Sequence, residues 1–228
     1  MNTRKYNSLL FDLDDTLLDY SGAEIKAALS VLENHNLPHT SDVAELFSNI
    51  NDWHTFELGK EITAFDVIVY RFTVLLKMLE VSSEHQKEMQ SEFYSLMQNS
   101  HKLKAGALKT LRYLKNEGYK LYITTNGYPD FQYKRIKAAK IGGLLNGIFV
   151  SEEIGHKKPS RAFFDYVMNN IPENCRSGVL IIGDAPTADI FGGINSGIDT
   201  CWISDANRHC KYKYTYKITK IDELIKLL

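Results

Sequence analysis

Two aspartates, Asp12 and Asp14, follow the apolar run Leu9–Phe11 and are separated from each other by one residue. In an extended stretch, residues two apart point the same way, so the two carboxylates should converge and repel each other unless a cation or a shared proton intervenes. A third acid, Asp184, follows the apolar run Val179–Ile182 after one glycine. It can join Asp12 around one hard divalent cation, and oxygen ligands together with a phosphate describe Mg²⁺. A single aspartate at such a place is also common in turns.

Three other segments offer groups that suit a phosphoryl oxygen or support the acids. Thr125 and Asn126 end the run that begins at Lys120, and a hydroxyl donor with free backbone amides at the start of the next helix fits a phosphate. Lys158 lies just before a proline, and Asp189 lies five residues after Asp184. Thr-Asn-Gly is ordinarily a turn, and paired lysines are ordinarily a solvated face. A phosphate site is predicted because all four segments, the Asp12–Asp14 pair, Thr125, Lys158 and Asp184 with Asp189, occur in this order at predicted strand ends.

The elements that would position these groups alternate between short apolar runs and stretches of helical periodicity. Unbroken apolar runs are typical of strands that are covered on both faces, and strand–helix alternation predicts an α/β fold with a parallel sheet. Ligands of such sheets bind beyond the carboxyl ends of the strands. The predicted strands are Leu9–Phe11, Lys120–Thr125, Gly147–Val150, Val179–Ile182 and Ile198–Ile203, and the predicted helices are Gly106–Asn116, Pro129–Ala139, Ser160–Asn170 and Pro186–Ser196.

A long helical block interrupts this alternation after the first strand. Apolar residues recur at helical spacing from Ser21 to about Gln98, for example at Phe65, Val69 and Phe72. We therefore predict that 1–17 and 103–228 form the α/β domain and that 18–102 form a helical domain. The alternation of aromatic and basic residues in Tyr212–Lys217 is best explained as an edge strand with protective lysines.

Composition narrows the range of partners. The chain has 228 residues, with 27 Lys+Arg against 28 Asp+Glu, so it has no overall positive field that would attract nucleic acid or anionic lipid. Its first residues lack the apolar region of a signal peptide, and no run approaches the roughly 18 apolar residues of a membrane span. Three cysteines without C-x-x-C spacing indicate neither a disulfide framework nor a zinc site. We expect a cytoplasmic monomer or homodimer acting on a small phosphate ester.

The complete set of motifs resembles the haloacid dehalogenase-like (HAD) phosphohydrolase superfamily. The residues that carry the resemblance are Asp12-Leu13-Asp14-Asp15-Thr16, Thr125, Lys158 and Gly183-Asp184 with Asp189. The resemblance implies a Rossmann-like core with a helical cap inserted after the first strand. It also indicates a phosphatase or a mutase, because the dehalogenases of the superfamily lack the aspartate that stands here as Asp14.

Finer features resemble the bacterial pyrimidine 5′-nucleotidase branch. They are the extended first motif Phe11–Asp19, the stretch Ile50–Trp53 with Phe56–Lys60, Thr125-Asn126-Gly127 with Gln132–Arg135, Val150–Gly155, and Ala188–Ile190 with Gly192–Trp202. One departure is Ala185-Pro186, where relatives usually have serine and leucine. Proline suits the first turn of a helix, so we expect altered loop detail and retained activity.

The resemblance implies a role for each candidate residue. Asp12 would be the nucleophile, and Asp14 would be the general acid and then the general base. Mg²⁺ would be bound by Asp12, by the backbone carbonyl of Asp14 and by Asp184. The phosphate would be bound by Thr125, Asn126 and Lys158, with Asp189 behind the metal ligands, and Tyr20, Trp53 and Phe56 are the candidate substrate contacts of the cap.

Three alternatives remain open at the level of the sequence. A sugar phosphate or phosphoglycolate could replace the nucleotide as substrate. A phosphomutase could use the same core, although such relatives usually have glycine where this chain has Asp15. A non-catalytic phospho-acceptor module of the receiver type also uses a strand-end aspartate, but receivers are about half this length and lack both the second acid and a cap.

Overall fold

The structure of the protein is a computed structural model that describes residues 4–57, 64–172 and 175–228, with the backbone alone described for 51–57 and 64–69. The chain divides into two compact units. One consists of Met1–Asp19 and His101–Leu228, and the other of Tyr20–Ser100. The first is called the α/β unit below and the second the helical unit.

A six-stranded parallel sheet forms the centre of the α/β unit, in the order β3-β2-β1-β4-β5-β6. The fold class predicted from the sequence is therefore confirmed. The central strands are fully buried, which explains their unbroken apolar sequences. The strands are β1 (Ser8–Phe11), β2 (Lys120–Thr125), β3 (Gly147–Val150), β4 (Val179–Gly183), β5 (Asp199–Ile203) and β6 (Tyr216–Ile218).

Successive side chains of β1 pack into the apolar clusters on opposite faces of the sheet. Leu9 and Phe11 belong to one buried apolar cluster, and Leu10 belongs to the other. Since β1 lies between β2 and β4, both of its edges are also hydrogen-bonded. The first strand thus holds Asp12 at the centre of the carboxyl edge of the sheet.

The helices follow the predicted periodicity closely in most places. They are α1 (Tyr20–Asn34), α2 (Ser41–Glu57), α3 (Ala64–Met78), α4 (Gln86–Asn99), α5 (Ala107–Asn116), α6 (Pro129–Ala138), α7 (Ser151–Ile154), α8 (Arg161–Asn169), α9 (Gly192–Asn195) and α10 (Leu224–Leu227). Short 3₁₀ turns occupy Gly142–Leu144, Arg176–Gly178 and Ile221–Glu223. Among the described residues, no helix combines the length and the apolar character that a membrane crossing needs.

Two predicted elements differ from the structure. The helix expected over Pro186–Ser196 consists of a π-helical turn, Pro186–Phe191, followed by α9. The wider turn arises where the backbone N–H groups of both Asp189 and Ile190 donate to the carbonyl of Ala185. The edge strand expected within Tyr212–Lys217 is Tyr216–Ile218, which does lie at the edge, parallel to β5.

The helical unit is built around aromatic side chains and one buried ion pair. The rings of Phe47, Phe72 and Phe93 pack together with centroids 4.9 to 5.5 Å apart. Next to them, Arg71 Nη1 contacts Glu24 Oε1 at 2.7 Å, and the same guanidinium donates twice to the carbonyl of Phe47. The buried arginine therefore has acceptors on α1 and α2, and it links these helices to α3.

Candidate active site

Three carboxylates meet at the carboxyl edge of the sheet. Asp12 follows β1 and Asp184 follows the adjacent strand β4, while Asp189 comes from the π-helical turn. Each offers a carboxylate oxygen, and these three oxygens lie within 4.8 Å of one another. The structure thus brings Asp12 next to Asp184 and Asp189, which lie more than 170 residues further along the chain, at the edge where the sequence predicted them.

Lys158 is the buried cation of this cluster. Its ammonium donates to Asp12 Oδ1 at 2.7 Å, to Asp189 Oδ1 at 2.6 Å and to the carbonyl of Thr124 at 2.8 Å. Burial by itself would lower the pKa of Lys158, but the two carboxylates outweigh this effect and raise it. The lysine is therefore charged, and each of its three protons has an acceptor.

Asn126 fixes the backbone that carries Lys158. Its Oδ1 accepts the backbone N–H of Lys158 at 2.9 Å, and its Nδ2 donates to the carbonyl of the same residue at 3.1 Å. The sequence placed Asn126 among the phosphate-binding residues, whereas in the structure its side chain bonds to both backbone polar groups of Lys158. A contact of Asn126 with phosphate would thus come from its backbone amide, which follows Thr125.

The acids outnumber the cation, and their pKa values reflect this imbalance. Burial and the charges of Asp12 and Asp189 raise the pKa of Asp184 to about 8. Burial likewise raises the pKa of Asp189 to about 6, although Lys158 opposes the shift. Asp12 and Asp184 offer oxygen donors whose negative charge Lys158 compensates only in part, with Asp189 adding further negative charge beside them. Such donors suit a hard divalent cation such as Mg²⁺, so the residues present fit the expected metal.

Asp189 is the completely buried member of the three acids. Its Oδ2 accepts the backbone N–H of Ala185 at 3.1 Å, while Oδ1 accepts from Lys158. The approach of this carboxylate leaves no space for a side chain at Gly183, where a Cβ atom would lie 2.2 Å from Asp189 Oδ2. Glycine before Asp184 is therefore a packing requirement, and the unusual Ala185-Pro186 pair leaves the Ala185 amide in contact with Asp189.

Asp14 is held by two side chains of α6. Arg135 Nη1 lies 2.6 Å from Asp14 Oδ1, and Gln132 Nε2 donates to Asp14 Oδ2 at 3.1 Å. The same Gln132 amide lies 2.9 Å from Thr125 Oγ1, and Arg135 donates to Gln132 Oε1 at 2.9 Å. Burial raises the pKa of Asp14, Arg135 lowers it, and the charge of Asp12 raises it further, with a net upward shift.

The sequence pattern gave Gln132 and Arg135 no role. The signal present was their spacing, because residues three apart in a helix lie on the same face. The helix that carries them, α6, begins four residues after Thr125, so its Gln132 and Arg135 side chains can reach the groups at the strand ends. The structure shows that it reaches both Asp14 and Thr125.

The predicted substrate contacts belong to the helical unit. Tyr20 is the half-buried first residue of α1. The side chains of Trp53 and Phe56 lie outside the described residues. Their part in substrate binding stays a prediction.

Comparisons with known proteins identify relatives of this chain. A family model described as haloacid dehalogenase-like hydrolase matches residues 9–203. The chain is 36% identical to the Bacillus subtilis protein YfnB, a HAD-hydrolase by name, over 99% of this chain and 96% of YfnB. It is 30% identical to the pyrimidine 5′-nucleotidase PynA of Streptococcus pneumoniae (98% and 95% covered) and 26% identical to the pyrimidine 5′-nucleotidase YjjG of Escherichia coli (98% of each). A crystal structure of YfnB bound to magnesium superposes with a TM-score of 0.88 at 36% identity, covering 99% of each chain.

Proposed function

The chain belongs to the haloacid dehalogenase-like hydrolases, and we propose that this phosphoric monoester hydrolase is a Mg²⁺-dependent 5′-nucleotidase for pyrimidine nucleoside monophosphates. The observation that carries the chemistry is the short contact between Lys158 Nζ and Asp12 Oδ1. Asp184 lies beside Asp12, and Asp14 follows Asp12 by two positions in the chain. Support for the substrate class comes from PynA and YjjG, which are similar to this chain over nearly its whole length.

Asp12 acts as the nucleophile in this proposal. Its carboxylate attacks the phosphorus atom, a P–O bond forms to Asp12, and the bond from phosphorus to the nucleoside oxygen breaks. Asp14 gives its proton to the departing oxygen and then takes a proton from water. That water attacks the aspartyl-phosphate, releases inorganic phosphate and regenerates the Asp12 carboxylate.

The remaining residues orient these groups and balance charge. Lys158 holds Oδ1 of Asp12, which fixes the nucleophile, and its charge offsets part of the repulsion between a dianionic phosphate and the acids. The Thr125 hydroxyl accepts from Gln132 and donates to the carbonyl of Asn126 through a long contact of 3.3 Å. Its proton would turn from that carbonyl to a phosphoryl oxygen when substrate binds.

The expected metal ligands are Asp12, Asp184 and the backbone carbonyl of Asp14. When bound, Mg²⁺ would supply positive charge against the phosphate and the converging carboxylates. Asp189 keeps its contacts with Lys158 and the Ala185 amide, so it would support the site from behind.

The test of this proposal is a phosphate-release screen on the purified full chain. UMP, CMP and dTMP are compared with AMP, GMP, glucose 6-phosphate and phosphoglycolate, each with Mg²⁺ and with excess EDTA. We expect the highest kcat/KM for the pyrimidine nucleotides and a loss of at least about 100-fold without metal. Turnover of sugar phosphates alone would overturn the substrate class, and full activity in EDTA would overturn the metal requirement.

Arg135 and Gln132 act as positioning residues for Asp14, and this role predicts a dependence on the leaving group. In Arg135→Met, we expect kcat/KM for UMP to fall by about 100-fold, because a ribose oxygen needs the Asp14 proton to depart. The loss on p-nitrophenyl phosphate should be at least about tenfold smaller, because p-nitrophenolate leaves without protonation.

The matched control for this prediction is Lys137→Met, which removes an exposed cation from the same helix. Its kcat/KM should stay near that of the wild type on both substrates. Equal losses on the two substrates in Arg135→Met would show that Arg135 serves the fold alone. Circular dichroism and thermal unfolding of both variants establish that they fold.

A further inference from the structure

A second group of metal-ligating side chains lies within the helical unit, apart from the catalytic acids. Among the described residues, the only sets of three His, Cys, Asp or Glu ligand atoms within 4.8 Å of one another are the aspartate cluster and the set His35, His85 and Glu88. Glu92 adjoins this second set, with its Oε2 3.3 Å from Nε2 of His35. We propose that these four residues form a site for Zn²⁺ or another divalent cation that favours nitrogen ligands.

Local structure brings the four donors together from two neighbouring helices. His35 directly follows the last residue of α1, and His85 is the residue before the first turn of α4. Glu88 and Glu92 lie three and seven positions after His85, which places them on the same face of α4. Since α1 packs against α4, the end of one helix faces the beginning of the other.

The distances approach those of a four-coordinate ion. Ligand bonds of 2.0 to 2.1 Å in a tetrahedral site place neighbouring ligand atoms about 3.3 Å apart. His85 Nδ1 and Glu88 Oε2 are 3.2 Å apart, and the His35–Glu92 pair matches the same spacing. The ligand atoms of His35, His85 and Glu88 lie within 4.8 Å of one another, so an approach of about 1.5 Å would bring them to ligand spacing. Glu92 lies outside this set of three and joins it through its contact with His35.

One half of the proposed site is preorganised and the other half can adapt. The side chains of His35 and Glu92 are 17% and 31% exposed, and Asn34 donates to the second Glu92 oxygen, which turns Oε2 toward His35. The side chains of His85 and Glu88 are 61% and 72% exposed, so solvent surrounds most of their surface and they can turn toward an ion.

The donor chemistry separates this site from the catalytic one. Two imidazoles and two carboxylates suit Zn²⁺ and neighbouring transition metals, whereas Mg²⁺ prefers a complete set of oxygen ligands and water. With neutral histidines the four donors carry two negative charges, which a divalent ion would balance. The bound ion would tie the end of α1 to the start of α4 and stabilise the helical unit.

Calorimetric titration of the untagged full chain with Zn²⁺ tests the proposal, with millimolar Mg²⁺ present to occupy the catalytic acids. We expect one Zn²⁺ per chain at this site and a rise in the unfolding temperature with Zn²⁺. His35→Ala and His85→Ala should each weaken binding by at least about tenfold and remove the rise. The control His39→Ala, an exposed histidine of the same unit outside the cluster, should bind as the wild type does.

Two results would overturn the site. One is the absence of Zn²⁺ binding in the presence of Mg²⁺. The other is undiminished binding in both histidine variants, which would place the ion elsewhere. Glu88→Gln keeps the size of an exposed side chain and removes a ligand charge, so weaker binding in this folded variant supports the proposal independently of any effect of the alanine substitutions on stability. None of these readouts depends on phosphatase activity.

Discussion

Asp12→Asn is expected to abolish turnover of every phosphate ester while the protein stays folded. The amide has the size of the carboxylate and can still accept from Lys158 through its oxygen, so the local packing is preserved. It lacks the charge and the nucleophilic oxygen that attack phosphorus, and loss of a nucleophile costs at least about 10⁴-fold in rate. Removal of one carboxylate ligand should also weaken Mg²⁺ binding.

Initial rates on UMP and p-nitrophenyl phosphate measure this loss, and the rise of the unfolding temperature with Mg²⁺ measures the metal site. Asp130→Asn is the matched control, because it makes the same chemical change at an exposed position in the first turn of α6. Near-normal turnover in Asp12→Asn would exclude Asp12 as the nucleophile. A loss of activity in Asp130→Asn of similar size would mean that the assay reports something other than the strand-end site.

The convergence of Asp12 and Asp184 could be predicted from the sequence because it depends on strong local signals. Each follows an apolar run that is buried on both faces, and parallel strands bring their carboxyl ends to one edge. The order of the strands, which places β4 beside β1, needs tertiary packing to be known. The sequence alone therefore predicts that these acids lie at the same edge of the sheet. It does not predict which of their oxygen atoms come into contact.

The side-chain contacts of Asp14 and Asn126 could not be predicted from the residues next to them in the sequence. Asp14 is 118 positions from Gln132 in the chain, and their contact depends on how α6 packs against the sheet. Asn126 has the composition of a phosphate-binding turn, but the Lys158 loop approaches closely enough to use both polar atoms of its side chain. Roles of this kind are decided by the neighbouring loop, which the sequence of a single segment does not describe.

In the helical unit, helical periodicity predicts which apolar side chains are buried, but it gives no indication of the buried polar residues. Phe72 and Phe93 are fully buried, as their spacing indicates, while Ile25 and Leu96 at similar positions are each 39% exposed. The buried pair of Arg71 and Glu24 carries no apolar signal at all. Such a pair is tolerated because each charge finds a partner in the interior, a condition that only the folded structure reveals.

Lys158→Met is expected to reduce both stability and activity, because the lysine is the buried cation among three acids. Removing it leaves Asp12 and Asp189 without a cationic partner in a buried site, a change that typically costs about 3–5 kcal/mol. The nucleophile also loses the donor that orients it, so kcat on UMP should fall by about 100- to 1,000-fold. Methionine fills a similar volume, which separates the loss of charge from the loss of packing.

The metal makes this prediction more specific. If Asp12 and Asp184 share a divalent cation, saturating Mg²⁺ restores part of the missing positive charge, so the free energy of unfolding of Lys158→Met should rise more with Mg²⁺ than that of the wild type. Urea unfolding with and without Mg²⁺ measures the difference, and Lys157→Met, the exposed neighbour, controls for the general loss of a lysine. A variant with wild-type stability in EDTA would mean that the acids are protonated and need no cation. A stability deficit unchanged by Mg²⁺ would mean that the carboxylates beside Lys158 do not hold the metal.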